Sequence, residues 1–331
     1  MPNVTVAGAG GATVTLSLDS NANALLARSL ANTITQGVIA ATLASAIWGG
    51  MYVISRVVLE VIPPITLVCI RMFVSSLFIL GLLIVRGQNW RLPREIWGRV
   101  LAMGLIGNAL SITAQFQGTH LAGAALGSLI TTASPLVTVA LSAAMGLEKI
   151  PLRAWIGQGL GLLGVYALSA SSGSSGANLF GIAWLVLAAV SWGVLGLIGG
   201  QAVAKHDALL VTAWASAIAC VTTAFFVPWE TSSHPIGPIT PGVIAGIAYI
   251  GIVSTAVAFS AWVFGVSRAG SVLSGIAFFA QPVVGGMLGW ALLGEQLGPV
   301  FGLAAGLLFA GAMLARPDKP AGNHTLEGNR S

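Results

Sequence analysis

Long apolar runs separated by short polar stretches make up most of this chain. Ten such runs can be read along it, at 37–55, 65–85, 100–117, 122–146, 154–170, 179–200, 208–228, 242–264, 271–293 and 298–315. Each approaches the roughly 20 residues a helix needs to cross a hydrocarbon layer about 30 Å thick. Runs three and four, and runs eight and nine, are joined by very short turns. Segments of alternating polarity, the mark of a membrane barrel, do not stand out. The pattern predicts an all-α membrane protein with ten transmembrane helices. It also predicts a polar or Gly/Ala-rich disordered tail over 1–34, a linker over 171–178 and a second tail over 316–331.

Composition sharpens this picture. The chain has 331 residues, of which 56% are hydrophobic, 7% charged and 43 are glycine. Soluble domains carry about 25% charged residues, so these few charges could not cover a water-facing surface. All nine acidic residues fall in loops, helix ends or tails. With the N-terminus in the cytoplasm and ten alternating helices, twelve of the 14 basic residues fall on the cytoplasmic side, including Arg86, Arg91, Arg94 and Arg99. The outside receives Arg56, and Arg71 stays within run two. The positive-inside bias therefore predicts an even helix count with both termini cytoplasmic. The net charge of +5 is dispersed over short loops, which argues against nucleic acid as a partner. No basic region precedes an apolar core at the start, so a secretory signal is not expected there.

The two halves resemble each other. Gly37, Ala44, Trp48 and Gly49 match Gly181, Ala188, Trp192 and Gly193; further on, Gly118, Pro135 and Glu148 match Gly265, Pro282 and Glu295. Each proline precedes its glutamate by thirteen residues. Five helices per half is an odd number, so the second half, 179–315, must enter the membrane from the side opposite to the first, 35–170. Such an inverted repeat is an architecture of alternating-access carriers, whose solute sits near the midplane between the halves. On "WGG" in run one, "IPP" followed by Arg71 in run two, and "SPLVTVALSAAMGLEKIP" answered by "AQPVVGGMLGWALLGEQLG", the chain resembles the drug/metabolite transporter superfamily. Within it, the chain is similar to the EamA-type exporters and, among those, to the bacterial amino-acid exporters of the YddG group. The resemblance implies that helices 3, 4, 8 and 9 frame a central cavity, that helices 1 and 6 gate it, and that helices 5 and 10 buttress it.

Several side chains inside the runs bear on solute handling. Asn108, Ser111 and Gln115 share one face of helix 3. Their repeat-related positions are Thr255, Ala258 and Trp262, with Phe259 alongside. A polar half facing an aromatic half suits a neutral or zwitterionic amphiphile, while hydrogen-bonded glue between helices is the competing reading. Ser45, Trp48 and Tyr52 form a stripe on helix 1, and Ser191 and Trp192 stand on helix 6. A gate or cavity wall competes here with an interfacial aromatic belt. Pro135 and Pro282 are expected to kink helices 4 and 9, freeing the carbonyls of Thr131 and Phe278. Gln281 is placed to reach a cavity near that second kink. Glu148 and Glu295 read as charges favouring the next helix N-terminus rather than as proton carriers. Arg71 reads as an anchor snorkelling outward, with a clamp for a substrate carboxylate as the alternative. Gly157, Gly161 and Gly164, with Gly302 and Gly306, have small-xxx-small spacing for tight helix packing.

Cys69 and Cys220 read as small apolar fillers. His120, His206, His234 and His324 are scattered, and neither a metal site, a cofactor nor a nucleophile–base pair is expected. The chain is therefore expected not to be an enzyme but an exporter of small neutral or zwitterionic metabolites, amino acids foremost, working without proton coupling. A proton-coupled exporter of hydrophobic cations is the rival, though such cargo usually calls for a carboxylate deep in a span. The expected partners are a small solute and the lipid bilayer, with the chain a monomer or a weak homodimer.

Overall fold

The computed structural model describes residues 3–7, 13–17, 20–146, 178–203 and 206–314, with part of 152–167. Glu148, residues 171–177 of the linker and the tail over 316–331 lie outside the described residues. Two regions depart from expectation at once. The stretch expected to be a disordered tail instead carries an antiparallel pair, β1 (Asn3–Ala7) with β2 (Thr13–Ser17), in which Val4 pairs with Leu16 and Val6 with Val14. Alternating Val/Thr segments flanking a glycine-rich stretch of sequence are a hairpin signal. The first helix, α1 (Ser20–Val58), also starts well before the apolar run. Its 39 residues span about 58 Å at 1.5 Å per residue, longer than the hydrocarbon layer.

Helix α2 (Pro64–Val85) begins with proline in its first turn, where a missing N–H costs nothing. Helix α3 runs over Arg94–Ala122 and ends at Gly123, whose φ of 97° a side chain rarely adopts. Then follow α4 (Ala124–Thr131) and α5 (Ser134–Ala144). The described residues between 152 and 167 are helical and belong to α6. The second half contains α7 (Leu179–Val203), α8 (Ala208–Ala224) and α9 (Val227–Ser233), with a 49° bend between the last two. It continues with α10, built from Pro241–Ala248, Tyr249–Val257 and Ala258–Ala277 end to end, α11 (Ala280–Leu293) and α12 (Pro299–Leu314). The break expected between runs eight and nine, at 264–271, is absent, and the chain turns instead at Phe278–Phe279. Among the described residues, four helices are long and apolar enough to cross a membrane, and the bent α8–α9 pair makes a fifth.

The repeat is visible as structure. Helix α3 widens into a π-helix over Met103–Leu110, and α10 does the same over the corresponding Tyr249–Val257. Breaks fall at Thr132–Ala133 and at Phe278–Phe279, within one residue of the same register. Pro135 and Pro282 are thus not bends within one helix. They lie in the first turn of the helix that restarts after each break, where their lack of an N–H is tolerated. The carbonyls expected to be freed are taken by the chain itself. Ser134 Oγ donates to the Thr131 carbonyl at 2.7 Å, and the Gln281 N–H to that of Phe278 at 3.0 Å.

The two halves pack by exchange. Helix α1 lies on α10 and α11 of the second half, while its counterpart α7 lies on α3 and α5 of the first. Likewise α2 packs on the π segment of α10, and α8 on that of α3; α2 and α8 meet each other across the pseudo-axis. Small residues make these approaches possible. A Cβ on Gly104 would lie 2.6 Å from Ile218 and 2.9 Å from the Ala215 carbonyl; on the equivalent Gly251 it would lie 2.8 Å from Val74 and 3.6 Å from the Arg71 carbonyl. On the α2–α8 contact, the free thiols of Cys69 and Cys220 stand 3.9 Å apart, closer than mere fillers need be. Gly164 of α6 faces the Ala304 carbonyl of α12, but Gly302 and Gly306 meet nothing within 4 Å and are not packing positions among the described residues.

Large apolar side chains such as Leu77, Phe225 and Trp290 point outward, whereas Ser45, Ser111, Gln115, Thr131 and Gln281 are buried. That inversion fits a helix bundle in lipid, where close packing and internal hydrogen bonds, rather than exclusion of apolar groups from solvent, hold the helices together.

Candidate functional site

Tryptophans open both halves of the central region. Trp48 on α1 donates its indole N–H to the Ser254 carbonyl of α10 at 2.8 Å, and Trp192 on α7 donates to Gln115 Oε1 of α3 at 3.3 Å. Each therefore bonds into the opposite half, from repeat-related positions on α1 and α7. Around Trp48 the rings of Phe259, Trp262 and Phe278 lie at centroid distances of 6.4, 5.5 and 5.9 Å. This aromatic cluster is internal and not a headgroup belt. Phe259 also edges an open groove of about 300 Å³ with Asp207, Leu209 and Phe264.

Below that cluster lies a hydrogen-bonded polar core. Tyr52, only 2% exposed, bonds to Thr131 Oγ1. The Thr131 hydroxyl donates to the Gly127 carbonyl at 2.7 Å, so its oxygen accepts the hydrogen bond that Tyr52 donates. Gln281 Nε2 reaches the Ser128 carbonyl at 3.0 Å, Thr131 Oγ1 at 3.2 Å and Thr132 Oγ1 at 3.3 Å. Tyr52 is thus a core residue of the contact between α1, α4 and α11, which excludes the belt reading for it. The glycine pair beside it has a steric cause. A Cβ on Gly49 would lie 2.5 Å from the Gln281 carbonyl oxygen, and on Gly50 2.9 Å from the Tyr249 hydroxyl, which itself donates to the Ile47 carbonyl at 2.9 Å.

The helix 3 face divides. Ser111 donates to the Ala188 carbonyl of α7 at 3.0 Å and is fully buried, so it acts as glue between helices. Gln115 is 2% exposed; its oxygen is held by Trp192, while its Nε2 has no partner among the described residues. Asn108 is half-buried in the π segment, and Thr255 occupies the equivalent place in the other. Thr255 donates to the Ile250 carbonyl at 3.0 Å, five residues back, and accepts from Arg71 Nε at 3.2 Å. Arg71 does not snorkel outward. It is 4% exposed, its guanidinium carbon 5.6 Å from the centre of the Phe116 ring. Its direction could not be read from α2 alone, because only the packing of α2 against α3 and α10 turns that face inward.

Two carboxylates cap helices across the halves. Glu295 accepts the N–H groups of Ala124 at 2.6 Å and Ala125 at 2.7 Å, so it caps α4 of the first half and not the helix that follows it in sequence. Glu230 accepts from the N–H groups of Ile65 at 2.9 Å and Thr66 at 2.7 Å, and from the Thr66 hydroxyl at 2.8 Å. Negative charge at a helix N-terminus meets both orphan donors and the helix dipole. A group of three or more His, Cys, Asp or Glu able to hold a metal ion does not occur among the described residues.

Paired π segments, exchanged helices and a buried polar core define a polytopic membrane protein built from two related halves. The EamA-like transporter family model matches it twice, over residues 35–170 and 179–316, and the chain belongs to that family. Its fold is accordingly ten helices in two inverted repeats, and the protein is a membrane transporter, not an enzyme. Among similar proteins, the uncharacterized inner membrane transporter YedA of Escherichia coli (strain K12) is 24% identical over 272 residues, covering 81% of this chain and 86% of that protein. The S-adenosylmethionine/S-adenosylhomocysteine transporter of Chlamydia trachomatis is 22% identical over 279 residues, covering 81% and 85%. A solved crystal structure superposes with a TM-score of 0.62 at 21% identity, covering 85% of this chain and 97% of that one, which shows the shared fold.

Proposed function

We propose that the protein exports small zwitterionic metabolites, amino acids foremost, across a bacterial inner membrane by alternating access, with both termini in the cytoplasm. The observation that carries this reading is the exchange of equivalent helices between oppositely threaded halves around one buried polar and aromatic core. An exchanged pair of this kind has two related packings, and each opens the core to one face. Trp48, Tyr52, Gln115, Trp192, Thr255 and Gln281 belong to that core, with Phe259 and Trp262 forming its aromatic wall and Asn108 at its rim. In this arrangement Ser111 fixes α3 to α7 and does not meet solute.

Cargo of low net charge follows from the distribution of charge. Glu230 and Glu295, whose carboxylates are committed to helix N-termini, are not free to carry protons or cations. A net-neutral solute also moves without the roughly 2.3 kcal/mol per charge that 100 mV imposes. A buried arginine speaks against the rival reading of a hydrophobic-cation exporter. The chlamydial relative is named for S-adenosylmethionine and S-adenosylhomocysteine, both of which end in an α-amino-acid group. The test is uptake of radiolabelled amino acids into proteoliposomes. A concentration gradient alone should drive it, at a rate unchanged when the pH gradient is collapsed; uptake abolished by that collapse would contradict the uncoupled mechanism.

A further inference from the structure

Five buried side-chain atoms on α2 and α3 lack a hydrogen-bond partner among the described residues; besides His120 Nδ1, on a half-buried side chain, they are Arg71 Nη1, Ser75 Oγ, Gln115 Nε2 and Thr119 Oγ1. The residues of these last four are 4%, 0%, 2% and 0% exposed. Arg71 and Ser75 are one turn apart on α2, and Gln115 and Thr119 one turn apart on α3, so each pair shares a helix face. Phe116, three residues before Thr119 on the same face of α3, links the two pairs. The Arg71 guanidinium lies against Phe116, next in sequence to Gln115, and bonds Thr255 of α10. A Cβ on Gly127 would meet Thr119 Oγ1 at 2.7 Å and the Tyr52 ring at 2.9 Å, which places Thr119 beside the polar core.

Native interiors pair nearly all their buried polar groups, so a cluster of unpaired ones marks a place that something else completes. The character of the cluster says what. The guanidinium and the amide nitrogen can only donate, and both hydroxyls can donate as well. The one amide acceptor, Gln115 Oε1, is already held by Trp192. The carboxylates found near cationic or histidine side chains are Glu60, paired with Arg56, and Glu95, beside His206, so no carboxylate faces Arg71 among the described residues. A buried cation among unpaired donors calls for an anionic oxygen ligand, and a carboxylate matches the guanidinium in charge and shape.

Packing does not require the arginine. Gly251 rests against Val74 and the Arg71 carbonyl just as Gly104 rests against Ile218 and the Ala215 carbonyl. The repeat-related counterpart of Arg71 is therefore Ala215, itself buried at 1% exposure. The same helix crossing is built there with a methyl group. Arg71 breaks the symmetry of the repeats at a point where the fold has no need of it, and a buried unpaired charge costs several kcal/mol.

We infer that Arg71, with Gln115 and Thr119, recognises the carboxylate of the transported solute and so selects acids and zwitterions over amines. This rests on the reading of the core as the carrier's solute site. The test is thermal stabilisation of the purified full-length chain by each of the twenty L-amino acids and by the matching amino-acid amides. At least one acid should stabilise the wild-type protein while its amide does not. R71K should bind that acid more weakly, and R71Q and R71A about ten- to a hundredfold more weakly. Equal stabilisation by acid and amide, or silence toward every acid, would overturn the assignment, and neither outcome depends on a variant that folds. Exchange in proteoliposomes with the same compounds separates this inference from the one beneath it. Accumulation of amides with acids ignored would discard the carboxylate site and keep the carrier, whereas accumulation of nothing would discard the carrier.

Discussion

At the scale of single residues, glycines decide where helices can cross, and their sequence spacing does not tell which do so. Gly49 and Gly285 face each other at the α1–α11 crossing: a Cβ on Gly285 would lie 2.5 Å from Ser128 Oγ and 3.3 Å from the Gly49 carbonyl. Gly302 and Gly306, with equally suggestive spacing, face nothing within 4 Å among the described residues. Alanine at Gly49 or Gly285 should therefore cost about 1–3 kcal/mol through overpacking, while alanine at Gly302 or Gly306 should be neutral or gain about 0.5–1 kcal/mol from backbone entropy. Melting of the purified variants in detergent checks both; equal effects at all four positions would contradict the crossing. The same contrast explains what could be read of the site. Trp48, Gln115 and Gln281 were legible as polar groups inside apolar runs, since such groups need partners. Whether each partner is a backbone carbonyl, as for Ser111, or another side chain depends on contacts between helices far apart in sequence.

At the scale of elements, the helix termini tie the halves together. Glu295 is a helix cap as its position suggests, but for α4, which begins 171 residues earlier in the chain. An N-terminus advertises its need for an acceptor locally and is silent about which distant carboxylate meets it. Glu295→Ala should leave the Ala124 and Ala125 amides unpaired, costing about 1–2 kcal/mol, and Glu295→Gln should cost less. Hydrogen exchange should speed up at those two amides in E295A while the Thr66 amide, held by Glu230, stays protected. Unchanged exchange at Ala124 and Ala125 would rule out the cap. The π segments of α3 and α10 left no mark in the sequence, because a shift from i−4 to i−5 bonding alters no residue preference strong enough to read. The N-terminal hairpin did leave one, in its alternating Val and Thr positions, and the absence of a break at 264–271 shows that Gly270 does not by itself end a helix.

At the scale of the whole molecule, the repeat was the most legible feature. Tryptophan, proline and glutamate recur in register, and the fold gives the first two pairs related roles: both tryptophans bond into the opposite half, and both prolines lie in the first turn of a helix that restarts after a break. What the sequence could not display is the exchange itself, in which α1 belongs as much to the second half as to the first. Exchange makes the two halves interdependent, and opposite threading lets one set of contacts serve either face of the membrane. The central claim is therefore one of topology, and thiol labelling of intact cells tests it most directly. On a background lacking Cys69 and Cys220, single cysteines at Ser29, at Ser175 in the linker and at Ser331 are challenged with an impermeant maleimide. The account predicts labelling at Ser175 alone until the membrane is permeabilised; labelling of Ser175 together with Ser29 from one face would contradict it.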